Sequence, residues 1–147
     1  MYNTDTALAK VVDEAEKGIL RNQFTLGVFI DITGAFNNLK TDNALNAMRN
    51  RGFQEHLVSW YESFARNRIV NSEILGCKSI RKLHLGIPQG GVLSPICWNV
   101  PMDELLVLFE KQKGITAIRF ADDLTLMITG IDTLTLSSIM NQTLKKA

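Results

Sequence analysis

Three aspartates lie at the ends of apolar segments, where burying a carboxylate would be unfavourable. They are the residues of this sequence most suited to catalysis or metal binding. Asp31 follows the apolar run of residues 28–30, and Asp122 and Asp123 lie between two short apolar segments. Burying an unpaired charge is unfavourable, so such positions need either solvent or a positive partner. A strand end or hairpin tip in water also accounts for them without any function, because aspartate is common in turns.

The three aspartates fit a metal site if the strand before Asp31 pairs with the hairpin that carries Asp122 and Asp123. Three carboxylates would then meet at one edge of a sheet, where like charges repel unless a cation neutralises them. Oxygen ligands without a nearby His or Cys select Mg²⁺ or Mn²⁺ over zinc. Two such ions about 4 Å apart are the usual device for in-line nucleotidyl transfer. The conditional prediction is therefore two-metal chemistry.

Two further stretches could bind a polyphosphate. Gly34 and Ala35 form a small-residue turn between Asp31 and Phe36, and they would let backbone N–H groups approach phosphates closely. Residues 86–95 form a Gly/Pro-rich loop before a predicted helix, and a helix start behind such a loop is a fair platform for an anion. A plain connecting loop explains residues 86–95 equally well.

Hydrophobic periodicity predicts the elements that would position these residues. Apolar spacing indicates helices over about 6–20, 42–51, 54–66 and 94–113, and a last helix that runs off the end of the chain. Residues 24–32 are predicted to form a buried strand, residues 68–75 and 78–85 a hairpin, and residues 115–120 and 124–129 two short strands. Few strands interleaved with helices indicate the α+β class. Without a repeat or a linker, the chain is predicted to be one unit.

Composition sets limits on the function. The 147 residues suit one domain with its own core, and two cysteines 20 apart exclude a disulfide framework and a cysteine-based zinc site. No apolar run is long enough for a membrane span, and charges near the start exclude a secretory signal. A net charge of +1 argues against a self-sufficient nucleic-acid binder. Residues 40–85 nevertheless carry eight basic and four acidic side chains, which indicates either a solvated face or a surface that contacts phosphates.

Three ordered stretches resemble the A, B and C motifs of reverse transcriptases. They are residues 28–38 (with FIDITGAF), 86–99 (GIPQGGVLSP, then WN) and 118–125 (with FADD). The motif B stretch with Trp98 and Asn99, and the form of motif C, resemble non-LTR (LINE-type) retrotransposon polymerases most closely. The resemblance covers nearly all of residues 1–147. It implies a polymerase palm, in which a small antiparallel sheet carries the catalytic aspartates and packs on helices, together with part of the fingers.

The same resemblance implies a role for each matching residue. Asp31 and Asp122 would be the principal catalytic metal ligands, with Asp123 as an ancillary carboxylate, and together they would hold two Mg²⁺ ions or Mn²⁺ in their place. Phe36 matches an aromatic steric gate under the nucleotide sugar, although a packed core phenylalanine would look the same. Nucleotide contacts are implied for seven residues of motifs A and B: Ile32, Thr33, Gly34, Ala35, Phe36, Gln89 and Gly90.

The implied activity is RNA-directed DNA synthesis from dNTPs on an RNA template and a DNA primer. The N-terminal part of the fingers would precede residue 1, and motif D, the primer grip and the thumb would follow residue 147. We therefore expect a fragment that is inactive alone, and a parent polyprotein that adds these parts and an endonuclease domain. The parent would act inside the cell, in the nucleus and cytoplasm, without a membrane partner.

Two alternatives remain open from the sequence. One is another palm polymerase, such as a group II intron or retron-type reverse transcriptase or a viral RNA polymerase; a gate at Phe36 argues against RNA synthesis. The other is an inactive relic or co-opted palm domain that at most binds nucleic acid, against which three intact aspartates argue. Two positions depart from the family pattern, since Asn37 stands where aspartate is usual and Pro101 lies inside the helix after motif B.

Overall fold

A computed structural model describes residues 4–146 of the chain. In chain order, the elements are α1 (Thr4–Leu20), β1 (Phe24–Asp31), α2 (Ala35–Asn38), α3 (Thr41–Asn50), α4 (Glu55–Arg66), β2 (Ile69–Ile74), β3 (Cys77–Lys82), α5 (Ser94–Glu110), β4 (Ile115–Phe120), β5 (Asp123–Gly130) and α6 (Thr133–Leu144). The α+β class is confirmed, and most predicted elements agree with these bounds to within a few residues. No helix within residues 4–146 is both long and apolar enough to cross a membrane.

The chain divides into two compact units. Unit 1 comprises residues 4–32 and 103–146, and unit 2 comprises residues 33–102. The chain passes between them at the end of β1 and again within helix α5. This division was not predicted, because neither crossing point is marked by a linker or a change of composition.

Unit 1 contains a three-stranded antiparallel sheet with the order β1-β5-β4. Alternate residues of β1 and β5 pack into one hydrophobic core with helices α5 and α6, and the buried members of that core are Phe109, Ile115, Leu124, Leu126, Ile128, Leu136 and Met140. The prediction that β1 is a buried strand was wrong. It is an edge strand with one open face, on which Phe29 is 72% exposed. An apolar run alone does not distinguish a central strand from an edge strand.

Helix α1 packs on the other face of the sheet, away from this core. Its buried Gly18 allows close approach, since a Cβ there would overlap the hydroxyl of Thr25. Thr25 is joined to Thr129 by a side-chain hydrogen bond of 3.2 Å, and the Thr116 hydroxyl donates to a Glu14 carboxylate oxygen at 3.4 Å. The helix thus covers the end of this face where β1 begins.

Unit 2 is built around the helix pair α3–α4. The buried residues of this pair are apolar, apart from Thr41 and Tyr61: Thr41, Ala44, Leu45, Ala47, Met48, Val58, Tyr61 and Ala65. Tyr61 lies beside the thiol of Cys97 in α5, and burial is the main cause that raises the pKa of Tyr61 to about 12. Burial also raises the pKa of the Cys97 thiol, so neither group ionises at neutral pH and their contact is structural.

Two helix ends differ from the prediction. Helix α5 ends at Glu110 rather than near residue 113, and α6 stops at Leu144 instead of running off the end of the chain. The backbone N–H of Lys145 bonds back to the Asn141 carbonyl and closes the last turn. Local backbone hydrogen bonds of this kind are not encoded in the apolar spacing from which the helix was predicted.

Candidate active site

The pairing of β1 with β5 places Asp31 directly opposite Asp123. The two strands are antiparallel, and the register aligns every residue from the Phe24–Gly130 pair to the Asp31–Asp123 pair. Directly opposed residues of neighbouring strands point to the same face of a sheet, with Cβ atoms about 4.5–5.5 Å apart. Both aspartates are solvent-exposed. The strand pairing on which the metal-site prediction depended is therefore present.

Asp122 lies next to this pair in the loop between β4 and β5. Phe120 pairs with Asp123, so Ala121 and Asp122 form a two-residue hairpin loop. Ala121 has a φ of +53°, a conformation that such tight loops require at their first position and that glycine adopts more easily. Asp122 is half-buried. The loop thus brings a third carboxylate to the same end of the sheet.

Strand periodicity explains why the aspartates face outward. Leu26, Val28 and Ile30 alternate along β1 and pack on the hydrophobic core, so Asp31 falls on the opposite face. Leu124 on β5 is 1% exposed and points into the same core, which leaves Asp123 on the face of Asp31. The apolar residues therefore determine that both carboxylates lie on the face of the sheet opposite the core.

The three carboxylates have no basic partner within residues 4–146. No Lys or Arg side chain of the described part of the chain forms an ion pair with Asp31, Asp122 or Asp123. Like charges directly opposite each other on neighbouring strands are destabilising. Such an arrangement is a cost to folding that a bound cation would remove.

The donor chemistry of this group fits Mg²⁺ or Mn²⁺. All of the donors are carboxylate oxygens, which hard divalent cations prefer, and no His or Cys competes for a softer metal. Among the described residues, no three Asp, Glu, His or Cys side chains are gathered tightly enough to form a ready-made metal cluster. A cation would therefore have to draw the carboxylates closer together than they lie in the structure.

The remaining candidate residues are arranged as follows. Ile32 is the last residue of unit 1, and Thr33 to Phe36 begin unit 2 with a tight turn. Gly34 adopts a left-handed conformation with a φ of +62° at the start of α2, and Ala35 is buried. The side chain of Asn38 donates to the Thr33 carbonyl at 3.0 Å and closes this turn.

Phe36 is held by an aromatic partner. Its ring stacks on that of Trp98, with centroids 5.6 Å apart and planes 30° from parallel. The backbone carbonyl of Phe36 accepts a 2.7 Å hydrogen bond from the N–H of Ile87, so its main chain is fixed as well. Phe36 is half-buried, which leaves part of the ring accessible. The contact with Trp98 was not predicted, because 62 residues separate the two rings.

The motif B loop is folded by its own hydrogen bonds. The Ser94 hydroxyl and the Gly91 N–H both donate to the Pro88 carbonyl. This closure leaves Gln89 and Gly90 exposed at the outside of the loop. At the loop's start, Gly86 has a φ of +77°, and a Cβ there would lie 2.6 Å from the Asn37 carbonyl oxygen.

Arg68 has a role that the sequence did not reveal. Its guanidinium donates to the carbonyls of Ala65, Leu85 and Gly86, at 3.2, 2.8 and 2.6 Å. Arg49 pairs with Glu55, and Arg66 pairs with Glu62 and Asp42. At least three of the eight basic residues in the positive stretch are therefore used in contacts within the protein.

Comparisons with known proteins agree with these features. A family model described as reverse transcriptase (RNA-dependent DNA polymerase) matches residues 6–147. The chain is 32% identical over 108 residues to a 115 kDa protein in the type-1 retrotransposable element R1DM of Drosophila melanogaster, covering 74% of this chain and 10% of that protein. It is 31% identical over 111 residues to a Pol polyprotein from the type-1 retrotransposable element R2 of Popillia japonica, covering 68% of this chain and 18% of that protein.

A solved structure shares the fold. An apo telomerase of Candida tropicalis, truncated from its C-terminal domain, superposes with a TM-score of 0.69 at 12% identity. The match covers 99% of this chain and 32% of the telomerase chain. At that identity the likeness concerns the fold alone. The chain spans less than a fifth of the length of the two retrotransposon relatives.

Proposed function

The chain belongs to the reverse transcriptase (RNA-dependent DNA polymerase) family, and we propose that it is the catalytic palm of an RNA-directed DNA polymerase from a non-LTR retrotransposon. Its α+β fold is that of a polymerase palm, and its relatives are proteins of non-LTR elements. The single observation that carries the proposal is the opposition of Asp31 and Asp123, with Asp122 beside them, at one open end of the sheet.

In the proposed reaction, the primer 3′-hydroxyl attacks the α-phosphate of a dNTP and pyrophosphate leaves. Asp31, Asp122 and Asp123 would bind two Mg²⁺ ions. When bound, the ions would lower the pKa of the primer hydroxyl and offset the charge of the triphosphate. The protein's own contribution is position, because the β1–β5 register fixes the spacing of the carboxylates and the hydrophobic core beneath them resists displacement.

The residues of unit 2 would select the nucleotide. The proposal assigns phosphate contacts to the turn of Ile32 to Ala35, sugar contact to Phe36, and the base and template side to Gln89 and Gly90. Support comes from the stacking of Phe36 on Trp98, since a gate must be rigid to reject an added hydroxyl. The exposure of Gln89 and Gly90 leaves both residues accessible to a ligand.

The partners of the reaction would be an RNA template, a DNA primer and the rest of a longer polyprotein. The relatives are several times longer than this chain, so fingers, thumb and an endonuclease domain would come from outside it. Phosphoryl transfer depends on the positioning of the primer hydroxyl against the nucleotide, which the palm alone would not supply. We therefore expect no extension of oligo(dT) on poly(rA) by the 147-residue chain, and robust extension would contradict this part of the proposal.

The proposal is tested by replacing Asp122 with Asn in a longer polymerase that carries this chain. Extension should be abolished with Mg²⁺ and with Mn²⁺, while affinity for primer–template stays nearly unchanged. Asp5→Asn is the matched control, because Asp5 is an exposed aspartate of α1 outside the site. Wild-type rates in the Asp122 variant would remove that residue from the catalytic set. Binding without extension by the unmodified polymerase would favour the alternative of an inactive nucleic-acid-binding domain.

A further inference from the structure

The β2–β3 hairpin of unit 2 buries none of its residues. All twelve residues of the two strands are exposed, and so is the Leu75–Gly76 turn between them. A two-stranded hairpin is at best marginally stable in water when it has no packed face. Such a hairpin is stabilised either by hydrogen bonds to the rest of the protein or by a bound ligand. This hairpin has such hydrogen bonds at its base, and its exposed side chains are suited to a ligand.

The anchor is Arg68, directly before β2. Its guanidinium donates to the carbonyls of Leu85 and Gly86, three and four residues after β3, and its own carbonyl accepts from the N–H of Leu83 at 3.0 Å. These bonds tie both ends of the hairpin together. The base of the hairpin is therefore held in a defined conformation.

The tip of the hairpin carries an apolar residue in an unfavourable conformation. Leu75 and Gly76 have φ values of +51° and +80°, as both central residues of a type I′ turn must. Asn-Gly and Asp-Gly are the usual sequences there, and a leucine with positive φ is strained. Leu75 is also 100% exposed. Neither the turn nor the packing of this chain explains a leucine at this position.

The stem carries cations on both of its faces. Lys78 and Lys82 share one face, and Arg81 lies on the other. Within residues 4–146, Arg81 and Lys82 have no acidic partner, and Lys78 lies 3.9 Å from Glu73, at the limit of an ion pair. These side chains, together with the exposed Lys40 outside the hairpin, belong to the part of the positive stretch that remains available to a ligand.

The apolar residues of the stem are divided between the two faces. Ile69 and Ile80 lie on the face of Lys82, whereas Val70 and Ile74 lie on the face of Arg81. Neither face is a continuous apolar patch of the kind that marks protein docking sites. Because both faces are cationic, the charge of the stem complements a polyanion on either side.

We propose that the β2–β3 hairpin is a nucleic-acid-binding arm, in which Lys78, Arg81 and Lys82 bind phosphates and Leu75 inserts between bases. The wide, shallow minor groove of an A-form duplex exposes backbone and base edges to such a ribbon, and apolar side chains of other nucleic-acid-binding proteins act as wedges between base steps. This inference rests on the proposed function for its choice of a primer–template as the ligand. It assigns to the hairpin the binding of phosphates and bases of the duplex, whereas the aspartates are proposed to bind metal ions.

The phosphate contacts are tested by fluorescence anisotropy of the 147-residue chain with a labelled RNA–DNA primer–template. Lys78→Gln, Arg81→Gln and Lys82→Gln together should weaken binding at least tenfold at about 50 mM salt. The slope of log K against log salt should fall by about 2 to 3, close to one for each lost phosphate contact. Lys111→Gln, Lys113→Gln and Lys145→Gln together remove the same charge from exposed positions of unit 1 and should change affinity less than threefold.

The insertion of Leu75 is tested with 2-aminopurine placed in the primer–template, because this base fluoresces more strongly when it is unstacked. Wild-type protein should raise the fluorescence, and Leu75→Asn should abolish that rise. Asn-Gly is a favoured type I′ sequence, so we expect this variant to keep the turn, and a circular dichroism spectrum equal to that of the wild-type chain checks that it is folded. Leu20→Ser is the control, since Leu20 is 86% exposed on helix α1.

Two results would overturn the inference. One is equal affinity and salt slope for the wild-type chain and the hairpin triple variant, which would leave the hairpin to a protein partner. The other is an undiminished 2-aminopurine signal with Leu75→Asn. Extension by the Asp122→Asn variant of a longer polymerase tests the polymerase proposal separately, so failure of the hairpin proposal is distinguishable from failure of the polymerase proposal.

Discussion

Asp31 and Asp123 oppose each other at the last pair of the β1–β5 ladder, with their side chains on the same open face. The two residues are 92 positions apart in the sequence. No basic side chain of the described residues pairs with either one, so their repulsion is uncompensated within residues 4–146. Like charges at such a pair are unfavourable for folding, and a bound cation would relieve their repulsion.

This relationship predicts opposite effects of Asp31→Asn on stability and on metal binding. Without metal, the substitution removes a like-charge pair and should stabilise the 147-residue chain by about 0.2–1 kcal/mol. Added Mg²⁺ or Mn²⁺ should raise the melting temperature of the wild-type chain and leave that of the variant nearly unchanged. Circular dichroism melts over a series of metal concentrations make the measurement.

Asp5→Asn is the control for net charge in this experiment and should respond to metal as the wild-type chain does. Electron paramagnetic resonance of Mn²⁺ gives a second readout that does not depend on stability. The assignment of Asp31 to a metal site is wrong if the variant and the wild-type chain are stabilised equally by Mg²⁺ and bind equal amounts of Mn²⁺.

A second prediction concerns the choice of sugar. In a longer polymerase that carries this chain, Phe36→Val should raise the ratio of ribonucleotide to deoxyribonucleotide incorporation at least tenfold. Tenfold corresponds to about 1.4 kcal/mol of differential transition-state binding, a modest demand on one removed ring. Single-nucleotide incorporation efficiencies measure the ratio. Use of deoxyribonucleotides should fall far less.

The stacking partner of Phe36 offers a graded version of this test. Trp98→Leu should loosen the ring of Phe36 and raise the same ratio by less than Phe36→Val does. Phe64→Val is the control, because Phe64 is a partly exposed aromatic residue of α4 that stacks on Trp60 instead. An unchanged ratio in Phe36→Val, with activity intact, would assign Phe36 to packing alone.

A third prediction concerns the start of the motif B loop. Gly86→Ala should destabilise the chain by about 2–5 kcal/mol, because it combines a positive φ with a Cβ that would press on the carbonyls of Phe36 and Asn37. Gly52→Ala is the matched control, since its φ of +74° is similar and no atom lies within 4 Å of its Cβ. That variant should lose only about 1–2 kcal/mol. Urea unfolding measures both, and equal losses would show that the neighbouring backbone yields.

A fourth prediction concerns pH and the start of helix α6. Hydrogen bonds from the Thr135 hydroxyl and from the backbone N–H groups of Thr135 and Leu134 hold the pKa of Asp132 below its usual value. A carboxyl whose pKa is lower in the folded state stabilises the fold above its unfolded pKa of about 3.9, and this stabilisation is lost as pH falls through the folded value. Asp132→Ala should therefore lower the melting temperature at pH 7, and the difference should shrink below about pH 4.

Asp132→Asn separates the charge from the helix cap. Asparagine also caps helices well, so this variant should keep most of the stability at pH 7 without the same dependence on pH. Melting temperatures between pH 3 and pH 7 make the comparison. A gap between Asp132→Ala and the wild-type chain that stays constant over this range would mean that the ionised carboxylate contributes nothing.

The sequence by itself determined the parts of this protein that depend on near neighbours. Alternating apolar residues fix which face of β1 packs inward, and they direct Asp31 outward once the strand forms. The Asp122–Asp123 step between two apolar segments identifies a hairpin, and helical spacing identifies α1 and α4. The order of the three motifs identified the family from residue types alone.

Only the tertiary structure decided what depends on residues far apart in the chain. The register that sets Asp31 against Asp123, the stacking of Phe36 on Trp98, and the hydrogen bonds from Arg68 to the carbonyls of Leu85 and Gly86 all join separate segments. Periodicity reports how a residue relates to those two to four positions away, and it carries no information on which distant segment it will meet. For the same reason, the edge position of β1 and the full exposure of the β2–β3 hairpin became visible only in the folded chain.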